Sequence, residues 1–412
     1  MRLFYQFGIA SYSILLHLAS LLGHRKAILW LNGRKNWRNR ISEKFRDVHS
    51  SIWIHCASLG EYELSVPLIK ELKVKHPTKH IIVTFFSPSG FEVKKNESLV
   101  FHVDYLPIDS SKNARDFIKL IRPELVFFAK YDYWYYYLNE LKKQGIPTYV
   151  FSASFRSSQV FFKSYGGWYR KMLLNFTMLF VIDKKSEELL QSIGINNVLT
   201  TGDTRYDRVS STVHINRNIT HIDKFKSTNQ LVIIGSSWPE DEAVFIPFIN
   251  TAPQGVKFII APHEIDENRI QDIEKKLCVT FMRYSTLGNN SYLENVQVLI
   301  MDNIGMLSAL YKYGNIAYVG GAFKQGLHNI LEPLSFGLPV LFGPHIKKFP
   351  EAVLFSEAGG AISIDTSDKL ATVIKTLLNS KEQIKINSIN VTLINHQVGS
   401  TNKILNNIEW KN

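Results

Sequence analysis

Cysteine is nearly absent: Cys56 and Cys278 are the two in 412 residues. That excludes a disulfide framework and a cysteine zinc site, and it fits a reducing cytosol. No repeat of short fixed period and no low-complexity tract occurs. Acid is also scarce, with 36 Asp plus Glu against 48 Lys plus Arg and a formal charge of +12. Such a balance suits an anionic partner, whether nucleic acid, an anionic membrane or a phosphorylated substrate. No recognised nucleic-acid motif accompanies it, so no nucleic-acid partner is expected. The length exceeds what one core normally supports, and two domains of roughly 200 residues follow.

Residues 3–22, LFYQFGIASYSILLHLASLL, contain no Asp, Glu, Lys or Arg. About 20 residues of helix span a typical hydrocarbon layer, although Gln6, His17 and several serines interrupt this one. His24, Arg25, Lys26, Arg34, Lys35, Arg38 and Arg40 follow, with Trp30 and Trp37 among them. Basic and aromatic residues beside an apolar segment form an interfacial signature. No small-residue cleavage site is evident, so the stretch reads as a retained membrane-anchor helix with its positive flank on the cytoplasmic side. The alternative is an ordinary buried first helix followed by a solvated basic loop.

From residue 51 strand-like and helix-like runs alternate, the order of a parallel sheet covered on both faces. Strands are expected at 52–57, 80–86, 125–129, 148–152, 179–182 and 198–200, with helices between them, one over 65–75. The polar stretch 206–229 interrupts the pattern, which restarts at 231–234 and continues through 256–261, 279–282, 298–301, 316–319, 340–342 and 360–364. The expected division is an anchor and basic flank at 1–40, a Rossmann-like domain at 41–210, a linker at 211–229 and a second Rossmann-like domain at 230–412. The fold class is α/β, two such domains facing a central cleft.

Ligands of such sheets sit where strands end and helices begin. At the first such turn stands SLGEYELSVPLI, with Glu61 after Gly60; it either complements the positive end of the helix or reaches a ligand. In the second domain, GSSWPEDE offers Ser236 and Ser237 as helix caps or phosphate contacts. APHEIDENRI places Pro262 and His263 at a strand end, and DNIGMLSALY does the same for Gly305, Met306 and Leu307. The densest signal is VGGAFKQGLHNILEPLSFGLPVLFGPH. Gly320 and Gly321 let a ligand approach the backbone, and a loop then delivers His328, Asn329 and Glu332. Asn329 and Glu332, three apart, can share a helix face. A carboxylate at Glu332 suits the paired hydroxyls of a ribose. Turn punctuation and helix-end charge are the alternative for these residues.

Together these motifs resemble the 3-deoxy-D-manno-octulosonic acid (Kdo) transferases of Gram-negative lipopolysaccharide synthesis, over nearly the whole chain. The resemblance implies a GT-B fold and transfer of Kdo from CMP-Kdo to the glucosamine disaccharide of a lipid A precursor. It implies inversion at the transferred sugar, the cytoplasmic face of the inner membrane as the place of action, and no metal ion or other cofactor. It makes Glu61 the general base and gives contacts to the CMP part of the donor to Pro262 and His263, to Gly305, Met306 and Leu307, and to Asn329, Ile330, Leu331 and Glu332. Gly321, Ser236, Ser237 and His328 are added as donor neighbours on the physical grounds above. The sequence departs from the family in places. Many members have Glu-Thr-Glu-Leu-Trp where this chain has KYDYW, so Lys130 stands at the first glutamate and Asp132 near the second. Arg205 replaces a lysine, His263 an arginine and Met306 a glutamate. Lys130 and Arg205 are retained as catalytic candidates, Lys130 as a holder of the donor's carboxylate. Arg34, Lys35, Arg38 and Arg40 become candidates for guiding the phosphorylated acceptor from the membrane.

Overall fold

Ile52, Trp53, Ile54 and His55 are all fully buried, the pattern of a strand covered on both faces. They belong to the centre of the first of two sheets. The computed structural model describes residues 1–213, 218–288 and 292–410. The chain divides into two units, one of Met1–Arg208 with Gln397–Asn412 and one of Val209–His396.

In the first unit the strands are β1 (Ser51–Cys56), β2 (His80–Phe85), β3 (His102–Tyr105), β4 (Pro123–Ala129), β5 (Thr148–Ala153), β6 (Met178–Val181) and β7 (Val198–Thr200). The second contains β8 (Gln230–Ser237), β9 (Val256–Pro262), β10 (Phe281–Arg283), β11 (Val298–Ile300), β12 (Ile316–Val319), β13 (Val340–Phe342) and β14 (Ala361–Ser363). Among the described residues each unit holds a seven-stranded sheet, ordered β3-β2-β1-β4-β5-β6-β7 and β10-β11-β9-β8-β12-β13-β14. The pairings are parallel. Strand order reverses between β1 and β4 in the first unit and between β8 and β12 in the second. At such reversals the helix-bearing connections diverge to opposite faces and leave a crevice at the carboxyl ends.

The expected α/β alternation is present, with three differences. β3 is an additional strand, hidden because it is four residues long and carries His102 and Asp104. Helix α4 (Leu59–Lys75) begins six residues before the periodic apolar pattern does, so Glu61 lies in its first turn and not in a loop. The units divide after Arg208, beside the expected end of the first domain at 210, but the expected linker 211–229 is not a plain connection and the C-terminal residues do not stay with the second unit. Helix Thr204–Val213 and helix Ile222–Lys226 occupy parts of that stretch, and residues 214–217 lie outside the described ones. Residues 397–410 return to the first unit: Asp207 accepts from the amides of Gly399 and Thr401, both at 2.6 Å, and the Tyr149 hydroxyl accepts from the Glu409 amide at 2.7 Å.

Helix α1 (Arg2–Leu21) forms where the apolar N-terminal segment predicts one. The expected membrane anchor is corrected in one respect: among the described residues no helix is long and apolar enough to cross a membrane. One stripe of α1 docks on protein instead. The Tyr5 hydroxyl donates to Asp109 Oδ2 at 2.5 Å, and the Tyr5 ring packs against Tyr135 and Trp168 at 5.7 and 5.6 Å. The opposite stripe stays apolar and open, with Phe4 76%, Phe7 74% and Leu21 82% exposed.

Helices α2 (Arg25–Gly33) and α3 (Trp37–Lys44) carry the basic flank, whose arginines have partners within the protein. Arg34 points inward. Its guanidinium lies over the rings of Trp30, Tyr105 and Phe86 at 3.7, 4.7 and 5.1 Å. It donates to the carbonyls of Leu106, Phe86 and Trp30 at 2.8, 2.8 and 3.2 Å. Arg40 grips the buried Asp104 with two bonds, at 2.8 and 2.7 Å. Burial opposes ionisation of Asp104, but Arg40 and His102 outweigh it and hold this acid below its usual range. Arg38 pairs with Asp116 and Asn113 at 2.8 and 2.7 Å. Lys35 remains exposed. Arg34 from the interior and Arg40 from a partly exposed side chain thus brace buried acceptors, which need such partners.

Replacing Arg34 with Ala leaves three carbonyls without a donor and empties the ring box, which is expected to lower unfolding stability by about 3 kcal/mol. Arg34→Lys is expected to recover little of it, since an ammonium lacks the planar fork. Urea unfolding of both variants checks this.

Candidate functional site

In the first unit, Ser58 and Glu61 follow directly from β1. Glu61 is partly buried, and its Oε2 accepts from the backbone N–H of Ala57 and, at 3.3 Å, of Ser58. Both readings of this acid therefore bear on one side chain: Oε2 caps the helix, while Oε1 makes no hydrogen bond among the described residues. Burial, then the charge of Asp132, raise its pKa above the ordinary value; the Ala57 amide, His55 and Lys130 oppose the rise. The result is a carboxylate of increased basicity with one oxygen available.

Asp132 comes from the turn after β4, across the strand reversal. Its Oδ2 lies 2.8 Å from His55 Nε2. His55 is fully buried in β1, and its Nδ1 meets Thr84 Oγ1 at 2.8 Å, an oxygen that also accepts from Trp53 Nε1 at 2.8 Å. Trp134 Nε1 approaches the same His55 Nε2 at 3.2 Å. A buried network thus fixes the turn that carries Lys130. Lys130 itself has φ +59°, the left-handed region uncommon for a lysine. Arg205, beyond β7, is held by Asp203, whose Oδ2 accepts from its Nε at 2.8 Å, and its charge reaches Tyr131 in the same turn. Glu61, Lys130 and Arg205 are therefore gathered around one turn, while Arg34, Lys35, Arg38 and Arg40 belong to α2, α3 and the bend between them.

In the second unit, Asp241 binds the two loops at the reversal together. It is fully buried, and its Oδ2 accepts from the amides of Trp238 and Gly321 at 3.0 and 2.9 Å, while Oδ1 accepts from the Tyr318 hydroxyl at 2.8 Å. Gly320 is obligatory here, because a Cβ would run into the Ser236 carbonyl and the Asp241 carboxylate. Gly321, at φ +97°, leaves equally little room beside Gly326.

Several expected donor contacts change character. Ser237 is buried and its hydroxyl donates to Glu242 Oε1 at 2.9 Å, so it serves the interior and not a ligand; Glu242 in turn is paired with Arg269. Ile330 and Leu331 are buried core side chains and offer a ligand only backbone. Pro262 is buried as well, whereas His263 is exposed. Ser236 has φ +53° at the end of β8. Gly305, at φ +88°, and Met306 lead into the short helix Leu307–Leu310, whose Leu307 packs against Gly235 of β8. Asn329 Nδ2 donates to Glu332 Oε1 at 3.1 Å, so these two do share one face.

Three aromatic rings meet at this edge. His263 stacks on Trp238 at 4.6 Å and on His328 at 4.4 Å, and Trp238 Nε1 donates to His328 Nε2 at 2.9 Å. Trp238, His55 and Thr84 stand beside candidate residues and were not singled out from the sequence, whereas Asp241 lies where the sequence places it, in the first turn of its helix. The available signals were a histidine inside an apolar strand and a tryptophan directly after one. Among the described residues no group of three or more His, Cys, Asp or Glu is gathered for a metal ion.

The family described as "3-Deoxy-D-manno-octulosonic-acid transferase (kdotransferase)" matches residues 35–208. Curated relatives bear the name 3-deoxy-D-manno-octulosonic acid transferase. That of Chlamydia pneumoniae is 29% identical, covering 80% of this chain and 78% of its own length. That of Haemophilus influenzae is 29% identical, with coverage of 84% and 85%. Among solved structures, the UDP-GlcNAc 2-epimerase of Neisseria meningitidis is similar with TM-score 0.61 and 18% identity, over 86% of this chain and 98% of that one. MurG of Acinetobacter baumannii is similar with TM-score 0.54 and 11% identity, over 87% and 98%. These two likenesses concern the fold alone.

Asp241→Ala removes the acceptor of two buried amides and a buried hydroxyl, and unfolding stability is expected to fall by about 3 kcal/mol. Gly320→Ala attacks the same brace from the other side and should lower the melting temperature as well. Thermal unfolding of both variants is the check.

Proposed function

The chain belongs to the Kdo transferase family of glycosyltransferases, and on that premise we propose that it transfers Kdo from CMP-Kdo to the glucosamine disaccharide of a lipid A precursor. The observation that carries this reading is Glu61, anchored through Oε2 and made more basic by burial and Asp132. As general base, Oε1 takes the proton of the acceptor hydroxyl while that oxygen bonds to the anomeric carbon of Kdo. The bond from that carbon to the phosphate oxygen breaks, CMP departs with the electron pair, and the anomeric configuration inverts. Lys130 and Arg205 supply positive charge for the Kdo carboxylate and the leaving phosphate. The second unit holds the nucleotide through the loop that carries His328, Asn329 and Glu332, with Glu332 suited to the ribose hydroxyls.

The reaction's acceptor is a lipid, and the open face of α1 suits its surroundings. An apolar helical stripe followed by exposed His24, Arg25 and Lys26 is the make-up of a helix lying in the plane of an anionic membrane surface. The proposed location is therefore the cytoplasmic face of the inner membrane, reached by α1 lying on the bilayer.

Detergent-solubilised protein incubated with CMP-Kdo and a tetra-acyl disaccharide acceptor should yield the Kdo-bearing lipid by mass analysis. CMP should bind more tightly than UDP; the reverse order would reject the donor assignment. Glu61→Gln is expected to keep CMP affinity and lose about 10² to 10⁴ in turnover. Because the base must be ionised and its pKa is raised, the acid limb of the kcat/KM profile should lie above the ordinary glutamate value. Asp132→Asn removes a raising charge and should move that limb to lower pH. Separately, Phe4→Ser combined with Phe7→Ser should weaken co-sedimentation with anionic vesicles while leaving the melting temperature within a few degrees.

A further inference from the structure

Trp238 lies outside every role assigned above, yet it sits at the centre of the second unit's strand edge. It follows β8, His263 follows β9, and His328 lies on the loop after β12. The planes of Trp238 and His328 differ by only 10° at a centroid separation of 6.4 Å. With Nε1 and Nε2 at 2.9 Å, the two rings form one hydrogen-bonded plate, and His263 rests against both members. Asp241 fixes this plate from below, through the amides of Trp238 and Gly321.

We propose that Trp238 is a positioning residue for donor binding: its indole N–H holds the His328 imidazole in the form with the proton on Nδ1, so that Nδ1–H is presented to an anionic oxygen of the nucleotide-sugar. This rests on the reading of the second unit as the donor unit. An indole N–H donates and never accepts, so His328 Nε2 must carry its lone pair there. A neutral imidazole then has its proton on the other nitrogen. Protonating Nε2 would set two N–H groups head to head, which keeps the ring neutral. Burial and the neighbouring His263 act in the same direction, lowering the His328 pKa to about 4. Nδ1 makes no hydrogen bond among the described residues, and it is not one of the sealed polar atoms. The ring itself lies over Gly321, whose missing side chain leaves it room. Of the other ionisable groups on the elements carrying the plate, Glu264 is exposed beside His263, Glu242 pairs with Arg269, and Asp266 accepts from the Arg269 amide. Asp241 accepts three bonds, Glu240 faces Lys324 at 3.4 Å, and Glu332 accepts from Asn329. His263 is the ionisable ring in direct contact.

The lock is tested on the ligand-free full chain by histidine NMR, with His328→Gln identifying the resonance. The wild-type His328 signal should not titrate between pH 5.5 and 8, taking the ordinary histidine value of about 6.5 as reference. In Trp238→Phe, which keeps a ring against His263 but has no N–H, the titration should rise by about one pH unit. Trp238→Gln, which returns an N–H donor, should bring it back down. A wild-type His328 that titrates near 6.5, or a Trp238→Phe titration that does not move, overturns the proposal whatever the enzyme's substrate. Binding then tests the purpose of the lock. His328→Ala should weaken CMP binding about tenfold, with cytidine unaffected, if the oxygen is a phosphate's. If it is the sugar's carboxylate, only CMP-Kdo should weaken. Unchanged affinity for both ligands rejects the donor role of the plate while leaving the family assignment standing.

Discussion

The reversal of strand order is the constraint on which this molecule depends. A parallel strand needs a crossover, and right-handed crossovers running in opposite directions from one point send their helices to opposite faces. The residues just beyond β1 and β4, and beyond β8 and β12, are thereby released from packing against a helix overhead. Glu61 and the Lys130 turn occupy the first such place, Trp238 and the Gly320–Glu332 loop the second. Each is then held from beneath by one buried polar group: His55 joins the two sides in the first unit, Asp241 in the second. Removed from water, such groups persist only with their partners complete, so each fixes its loops in one arrangement.

The same rule explains the arginines. A chain with an excess of positive charge looks, residue by residue, as if it offers that charge to a ligand. Arg34 and Arg40 are instead engaged within the protein, Arg34 by carbonyls at strand ends and Arg40 by the buried Asp104, which His102 and the Tyr105 amide also serve. Charge counts describe the field around a protein; they do not tell which side chains generate it from the surface.

The alternation of strands and helices was legible because buried parallel strands are unbroken apolar runs with turn residues at their ends. Most strands lie within a few residues of their expected places. β3 was not legible: His102 and Asp104 are polar, and what makes Asp104 tolerable inside is Arg40, far away in sequence. The start of α4 was hidden similarly, since its first turn is kept by Glu61 and by backbone bonds, not by apolar spacing. At the site, the residue types and their turns could be read, but not which hydroxyl or ring faced inward. Ser236 and Ser237 are neighbours of the same kind, yet Ser237 is bonded to Glu242, a partner visible only in three dimensions. His55 illustrates the converse, a polar residue in an apolar strand whose purpose appears only when Thr84 and Asp132 stand beside it.

The return of residues 397–410 to the first unit bears on how the chain is made. Ile404 is fully buried in that unit's core, and Trp410 rests on His76 with ring centroids 4.4 Å apart. Domains generally fold as the ribosome extrudes them, earlier segments first. Here the first unit's packing is complete only once its last helix, Ser400–Leu405, has emerged behind the whole of the second sheet. Until then the place that Ile404 fills in the first unit's core stays uncovered.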